Sequence, residues 1–175
     1  MVMLQEAPAA SQAIRANKVS LRKPVSDDGL SLHRLVAASP PLDPNSLYCN
    51  LLQCTHFADT AIAAEAAGHL VGFISGYRLP DSPEVLFVWQ VVVDANCRGQ
   101  GLAGRMLSQL VTQQSSLRFI ETTINPGNQP SWRLFEALAA DLGAPLETRT
   151  LFARDRHFGG EHADEILVRI GPLAS

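Results

Sequence analysis

The spacing of apolar residues changes several times along the chain, and each change marks a different element. Residues 19–22 alternate apolar with polar or basic positions, which predicts a first strand. Asp27 and Asp28 precede Leu30, Leu32, Leu35 and Val36 at helical spacing, which predicts a helix starting at the two aspartates. Pro40, Pro41 and Pro44 interrupt that pattern. Asn45 or Ser46 can then cap a second helix running to about Phe57, whose Leu47, Leu51, Leu52 and Cys54 suit a face packed on a sheet.

Three apolar segments follow, over 60–66, 70–79 and 85–93, divided by Gly68 and by Pro80 and Pro83. Turns this short join antiparallel neighbours, so the segments predict a meander. The third, Val85 to Val93, is apolar on both faces and belongs at the centre of a sheet covered on both sides. The remaining pattern predicts a helix over 102–115, a strand over 119–124, a helix over 130–142, and two strands near 148–153 and 165–170. The order makes a mixed α/β sandwich in one domain over 18–175, with neither a repeat nor a linker inside it.

Composition narrows the function. The chain has 175 residues, 46 % hydrophobic and 18 % charged, with a net charge of −3. That balance predicts no basic face for nucleic acid. The apolar stretches are too short to cross a bilayer. Residues 1–17, by their Ala, Gln, Ser and Pro content, read as a loose tail rather than an export signal. Cys49, Cys54 and Cys97 make an odd count, so reduced thiols and a cytoplasmic location are expected. Cys49, Cys54 and His56 lack zinc-knuckle spacing and a second ligand pair, so no metal is expected.

The chemistry concentrates after the central strand, in Asp94-Ala95-Asn96-Cys97-Arg98-Gly99-Gln100-Gly101-Leu102-Ala103-Gly104-Arg105. A glycine-rich loop opening a helix exposes unpaired N–H groups at the positive end of the helix dipole. Without Cβ atoms in the way, a phosphate oxygen can approach them, which points to pyrophosphate capture. Gly99-x-Gly101-x-x-Gly104 also fits the dinucleotide fingerprint, with Glu121 about twenty residues on as a ribose-binding acid. Against that rival, five residues separate Val93 from Gly99, and an antiparallel meander precedes the loop. A glycine-rich turn without a ligand is the third reading.

Arg98-Gly99-Gln100-Gly101-Leu102-Ala103 resembles the Arg/Gln-x-x-Gly-x-Gly/Ala motif of the GCN5-related N-acetyltransferases. Asn128-x-x-Ser131-x-x-Leu134-Phe135 resembles that family's second cofactor motif. The resemblance implies a mixed, mainly antiparallel sheet with helices on both faces, and acetyl-CoA as acetyl donor. Arg98, Gly99, Gln100, Gly101, Ala103 and Gly104 would take the pyrophosphate. The backbone of Val91 and Val93, on a strand splayed at a bulge, would take the pantetheine arm, and Asn128 and Phe135 would complete the site. Phe135 stands where the family commonly has a tyrosine that protonates the leaving thiolate. Either the thiolate leaves unassisted, or another hydroxyl such as Tyr48 supplies the proton. The departure also keeps open a catalytically silent acetyl-CoA-binding module.

Five further segments resemble the diaminobutyrate acetyltransferases of ectoine biosynthesis: 42–49, 56–60, 88–91, 121–124 and 162–170. That resemblance implies transfer to the 4-amino group of L-2,4-diaminobutyrate and a homodimer. The fold serves many amines, so another small amine or diamino acid remains the alternative. A diamino acid needs acidic partners for its nonreacting ammonium. Asp43 and Glu165 are the candidates, with Glu165 also the candidate base. Their structural readings are a helix start and an exposed strand end. His162 can relay a proton or bind the ligand. Trp89 is either core or, two residues before Val91, a wall beside the acyl carbonyl. Arg78, Arg154 and Arg169 are all open as partners of the substrate carboxylate.

Overall fold

In the computed structural model, residues 18–174 are described; the expected tail over 1–17 lies outside them. A seven-stranded sheet runs through this region in the order β1-β2-β3-β4-β5-β7-β6. Its strands are β1 (Ser20–Arg22), β2 (Ile62–Ala66), β3 (His69–Leu79), β4 (Ser82–Val93), β5 (Phe119–Ile124), β6 (Leu146–Phe152) and β7 (Glu165–Ile170). Every neighbouring pair is antiparallel except β4 and β5, which run parallel. β4 is the middle strand, as its two apolar faces predict.

Helices cover both faces. α1 (Gly29–Ala37) and α2 (Leu47–Thr55) connect β1 to β2, α3 (Leu102–Thr112) connects β4 to β5, and α4 (Gln129–Asp141) connects β5 to β6. Leu32, Leu35, Val36 and Cys54 meet Ala63, Phe73 and Val92 on one face. On the other, Met106, Leu107, Leu110, Phe135 and Leu138 pack with Ile74, Leu86, Val88, Ile120 and Val168. The length of α3 and its crossing from one sheet end to the other let β5 return parallel to β4.

Two local readings change. α2 does not face the sheet through Leu47, which is 39 % exposed; its buried positions are Asn50, Gln53 and Cys54. The reason is that α2 packs on α1, where Leu51 lies so close to Gly29 that an added Cβ would come within 2.5 Å of its Cδ2. The inward amides satisfy one another, Asn50 Nδ2 donating to Gln53 Oε1 at 3.2 Å, with His33 Nδ1 3.2 Å from Asn50 Oδ1. A fifth helix, α5 (Arg154–Phe158), lies between β6 and β7, where only a connection is expected.

Candidate active site

The centre of the site is a bulge in β4. Gly76 pairs with Val88 and Ser75 with Gln90, so Trp89 is an extra residue with no partner on β3. Gly76 is required there, since a Cβ would sit 2.7 Å from the Phe87 carbonyl oxygen. Before the bulge, Glu84 and Val88 turn their carbonyls toward β5, accepting from Arg118 N at 2.9 Å and Thr122 Oγ1 at 3.0 Å. After it, Asp94 N donates to Val71 O at 2.9 Å, so the even-numbered residues bond to β3. The extra residue has switched the alternation, and Val91 and Val93 now direct their main-chain groups toward β5.

β5 does not meet them. Its ladder with β4 ends at Phe87 opposite Glu121, and the two strands diverge toward their C-terminal ends. The result is a cleft edged by the outward N–H and C=O groups of Val91 and Val93.

The glycine loop closes the same end of the sheet. A 3-10 turn over Ala95–Cys97 follows β4, held by the Asp94 carboxylate, which accepts from Asn96 N at 2.8 Å. Gly99 and Gly101 have φ of 74° and 70°, a left-handed conformation in which a side chain is strained. Gly101 is the N-cap of α3 and provides no side-chain cap, so the first-turn N–H groups are left for a ligand. No atom would meet a Cβ within 4 Å at Gly99, Gly101 or Gly104, so this surface is open. Gly101, Gly104 and Arg105 also line a groove along α3. The fit to an anion is therefore a main-chain one. The Arg98 side chain is bound elsewhere: Nε donates to Val93 O at 3.0 Å and Nη2 to Ser39 Oγ at 3.3 Å.

At the neighbouring helix end, Asn128 caps α4, its Oδ1 accepting from Ser131 N at 3.2 Å. Phe135 is 3 % exposed and lies in the core beneath. A phenyl ring there has no proton to offer.

The residues expected to hold the amine also gather at this end. Trp89 is 46 % exposed, standing edge-on to Tyr77 at 6.4 Å, so it is not part of the core. A bulge puts its ring outside the regular packing of the strand. The segment carrying Asp43 and Asn45 is tied to Gln90, whose Nε2 donates to Asp43 O at 3.3 Å and whose Oε1 accepts from Asn45 Nδ2 at 3.2 Å. Ser46 caps α2 through Cys49 N, and Tyr48, in the first turn, is 71 % exposed. Asp43 is not the helix cap.

Across the β4/β5 gap, Glu165 opens β7 beside the end of β5, where Ile166 pairs with Ile124. His162 Nε2 lies 3.9 Å from Glu165 Oε1. His162 Nδ1 lies 2.8 Å from the carbonyl oxygen of Ala163 and must carry the proton to donate to it, which leaves Nε2 turned to the carboxylate. Glu165 is partly buried, not an exposed strand end.

Residues 31–140 match the acetyltransferase (GNAT) family. The chain belongs to that family. An L-2,4-diaminobutyric acid acetyltransferase of Methylotuvimicrobium alcaliphilum is 49 % identical over 157 residues, 89 % of this chain and 91 % of that protein. One from Halomonas elongata is 44 % identical over 172 residues, 95 % and 89 % of the two chains. Among solved structures, the diaminobutyrate acetyltransferase EctA of Paenibacillus lautus, in complex with L-2,4-diaminobutyric acid and coenzyme A, superposes with a TM-score of 0.87. It is 40 % identical, covering 91 % of this chain and 98 % of that one. The loading GNATL domain of CurA from Lyngbya majuscula, at 16 % identity and a TM-score of 0.69, shares the fold.

The GNAT assignment removes the dinucleotide rival, and the geometry says why. Glu121 lies mid-sheet opposite Phe87, buried and ion-paired with Arg169, whose guanidinium sits 3.9 Å over the Phe119 ring. A ribose at the glycine loop has no access to it. That pairing also engages Arg169, one of three arginines considered for the substrate carboxylate. Arg78 is removed by position, bound to Pro83 O, Gln114 and Ser115 O at the opposite end of the sheet. Arg154 stays near the site, its Nε donating to Gly160 O at 2.9 Å. Among the described residues no group of three His, Cys, Asp or Glu could hold a metal, and no helix is long and apolar enough to cross a membrane. Burial pushes the Cys54 thiol up to about 12. Gln90, Ser39 and Asn45 have structural tasks at this GNAT site that no motif spacing marks; their place beside Trp89, Arg98 and Asp43 is the only signal.

Proposed function

We propose that this chain transfers the acetyl group of acetyl-CoA to the 4-amino group of L-2,4-diaminobutyrate, giving the N4-acetyl product by direct attack in a ternary complex. The observation that carries the reading is the Paenibacillus lautus structure, whose bound diamino acid and coenzyme A accompany the same fold at 40 % identity. Acetyl-CoA supplies an acyl thioester. The open first turn of α3 fits its pyrophosphate, and the outward groups of Val91 and Val93 fit its amide-bearing arm.

Glu165 accepts the proton that makes the amine a nucleophile, with His162 Nε2 beside it to pass the proton on. The neutral amine attacks the thioester carbonyl while Asp43 and Trp89 hold the rest of the substrate. The Val91 and Val93 N–H groups stabilise the oxyanion. The attacking nitrogen gives up its second proton to solvent, the C–S bond breaks, and the thiolate takes a proton from Tyr48 or leaves unassisted. Phe135 excludes a donor at its own position.

We further infer a single catalytic domain from residue 18 onward, working in the cytoplasm without nucleic acid or membrane, as a homodimer. Support for the dimer is β6, an edge strand whose Glu147, Thr148, Arg149 and Thr150 are exposed. An odd count of three cysteines fits a reducing compartment.

The test is release of free thiol from acetyl-CoA across 2,4-diaminobutyrate, ornithine, lysine and a polyamine. Diaminobutyrate should give the highest kcat/KM. Turnover of the polyamine alone would overturn the substrate, and no turnover of any amine would leave a silent binding module.

A further inference from the structure

We propose that Gln90 is a positioning residue that couples the acetyl-CoA strand to the amine-binding segment. The inference rests on the proposed function for the meaning of that segment, and on the structure for the clamp itself.

Gln90 is the residue immediately after the bulge. Its main chain pairs with Ser75, and that pairing sets the register that turns Val91 and Val93 outward. Its side chain leaves the strand in another direction. The amide nitrogen donates to Asp43 O at 3.3 Å, and the amide oxygen accepts from Asn45 Nδ2 at 3.2 Å. One planar group thus satisfies a donor and an acceptor on the segment between the proline interruption and α2. Asp43 and Asn45 are the residues of that segment with hydrogen bonds to β4. The next residue, Ser46, caps α2 and so fixes where Tyr48 begins its turn. A single side chain therefore sets where Asp43 and Tyr48 stand relative to the β4 main chain.

A ligand that pairs with Val91 and Val93 orders the bulge. Ordering the bulge holds the Gln90 backbone, which holds the amide, which holds Asp43. Binding at one half of the cleft then tightens the other, and the coupling is reciprocal. Only an amide meets both demands. A carboxylate at position 90 loses the donor to Asp43 O, and an aliphatic side chain loses both contacts.

The test uses Gln90→Leu, Gln90→Glu and Asn45→Ala in the full chain. Gln90→Leu should raise KM for diaminobutyrate about ten-fold, as expected for losing two neutral hydrogen bonds, with kcat changed much less. Coenzyme A affinity in the absence of amine should stay within about two-fold, because the main-chain groups remain. Gln90→Glu should fall between the wild type and Gln90→Leu, as it keeps the acceptor for Asn45. Gln90→Leu combined with Asn45→Ala should be no worse than Gln90→Leu alone, because both remove one contact. An additive double variant, or an unchanged KM, would overturn the proposal.

Amide hydrogen exchange over residues 42–48 reads the clamp without turnover. It should slow when coenzyme A is added to the wild type, and not in Gln90→Leu. If the wild type fails to acetylate diaminobutyrate but shows that protection, the substrate is wrong and the clamp stands. If it acetylates diaminobutyrate without that protection, the clamp is wrong. Asn45→Ala leaves the sheet untouched and serves where Gln90→Leu folds poorly.

Discussion

Arg98 Nε donates to the carbonyl oxygen of Val93 at 3.0 Å, so the arginine of the glycine loop closes that loop onto the strand before it. The same guanidinium reaches Ser39 Oγ at 3.3 Å, beyond the end of α1. Ser39 is itself 3 % exposed, which makes the second contact a fixed one. Three parts of the chain meet at one side chain, which ties the glycine loop to the end of β4 and to Ser39.

Arg98→Met should keep the chain folded and raise KM for acetyl-CoA by about ten-fold, since a hydrogen bond from a charged group contributes about 1.5–3 kcal/mol. KM for the amine should move less. Initial-rate kinetics with each substrate varied in turn separates the two, and a larger change in the amine constant would assign Arg98 to the other half of the cleft.

Gly101 tests the anion reading itself. It caps α3 in a left-handed conformation and faces open space. Gly101→Asp places a carboxylate beside the N–H groups that would meet pyrophosphate, and should raise KM for acetyl-CoA by at least about ten-fold. Gly101→Asn carries the same bulk without charge, and asparagine tolerates this conformation. Equal losses in the two variants would show a steric or strain effect, and no loss in either would remove the loop from the site. Coenzyme A should raise the melting temperature of the wild type and NADH should not.

Much of this arrangement is legible in the residues. β5 and β7 have the bounds that their patterns predict, and the two apolar faces of 85–93 place β4 in the middle. The loop is legible because glycines before a helix have a distinct physical meaning. The bulge at Trp89 is another matter. In Val88-Trp89-Gln90-Val91-Val92-Val93 apolar residues fall in both phases, so one extra residue leaves no clear break in the pattern. The resemblance implies a bulge in this strand, but only pairing to Ser75 and Gly76 puts it at Trp89 and accounts for that residue's exposure. α2 hides its packing for a different reason. Asn50 and Gln53 are buried because they bond to each other and to His33, and that compensation lies partly in another helix. α5, with Arg-Asp-Arg-His before its one aromatic, has no apolar stripe to announce it.

The buried ring of Phe135 bears on the leaving group. A phenyl ring at 3 % exposure has no proton to give, so in the proposed reaction the proton for the thiolate comes from elsewhere or is not needed in the rate-limiting step. Phe135→Tyr should leave kcat within a few-fold and cost about 1–3 kcal/mol of stability if the hydroxyl finds no partner. A ten-fold rise in kcat, equivalent to about 1.4 kcal/mol of barrier, would mean that a missing hydroxyl had been limiting.

An acid response is built in on the α1 side. Burial pushes the Asp28 carboxyl up, but Arg22 and the Val25 N–H outweigh it and hold it below its ordinary value. Arg22 Nη1 and Nη2 donate to its two oxygens at 2.7 and 2.8 Å. A carboxyl depressed in the folded state contributes stability above its unfolded value near pH 4, and loses it as pH falls through the folded value. Asp28→Asn should cost about 2 kcal/mol at pH 7, discounted because Arg22 is a third exposed. The variant's stability should also fall less between pH 5 and pH 2. Urea unfolding at both pH values checks this, and parallel losses would place the acid response elsewhere.

In the proposed reaction, Asp43 and Glu165 separate binding from proton transfer. They stand on opposite sides of the β4/β5 gap, one on the segment held by Gln90 and the other opening β7 with His162 at 3.9 Å. Neither touches the glycine loop, so Asp43→Asn and Glu165→Gln should leave coenzyme A affinity and melting temperature nearly unchanged. A charge-assisted contact to an ammonium group contributes about 1.5–3 kcal/mol, so kcat/KM for diaminobutyrate should drop by roughly ten- to a hundred-fold in each. The two should differ in how they drop. Asp43→Asn removes a partner of the nonreacting ammonium, and saturating amine should recover most of kcat. Glu165→Gln removes the base, so kcat should stay low at saturation and rise with pH as more amine arrives already neutral. His162→Gln should shift that pH profile while retaining Glu165 as acceptor, since Nε2 is the group facing the carboxylate. If Glu165→Gln recovered its rate at high amine and kept the wild-type pH profile, Glu165 would be a binding residue and the proton would leave by another route.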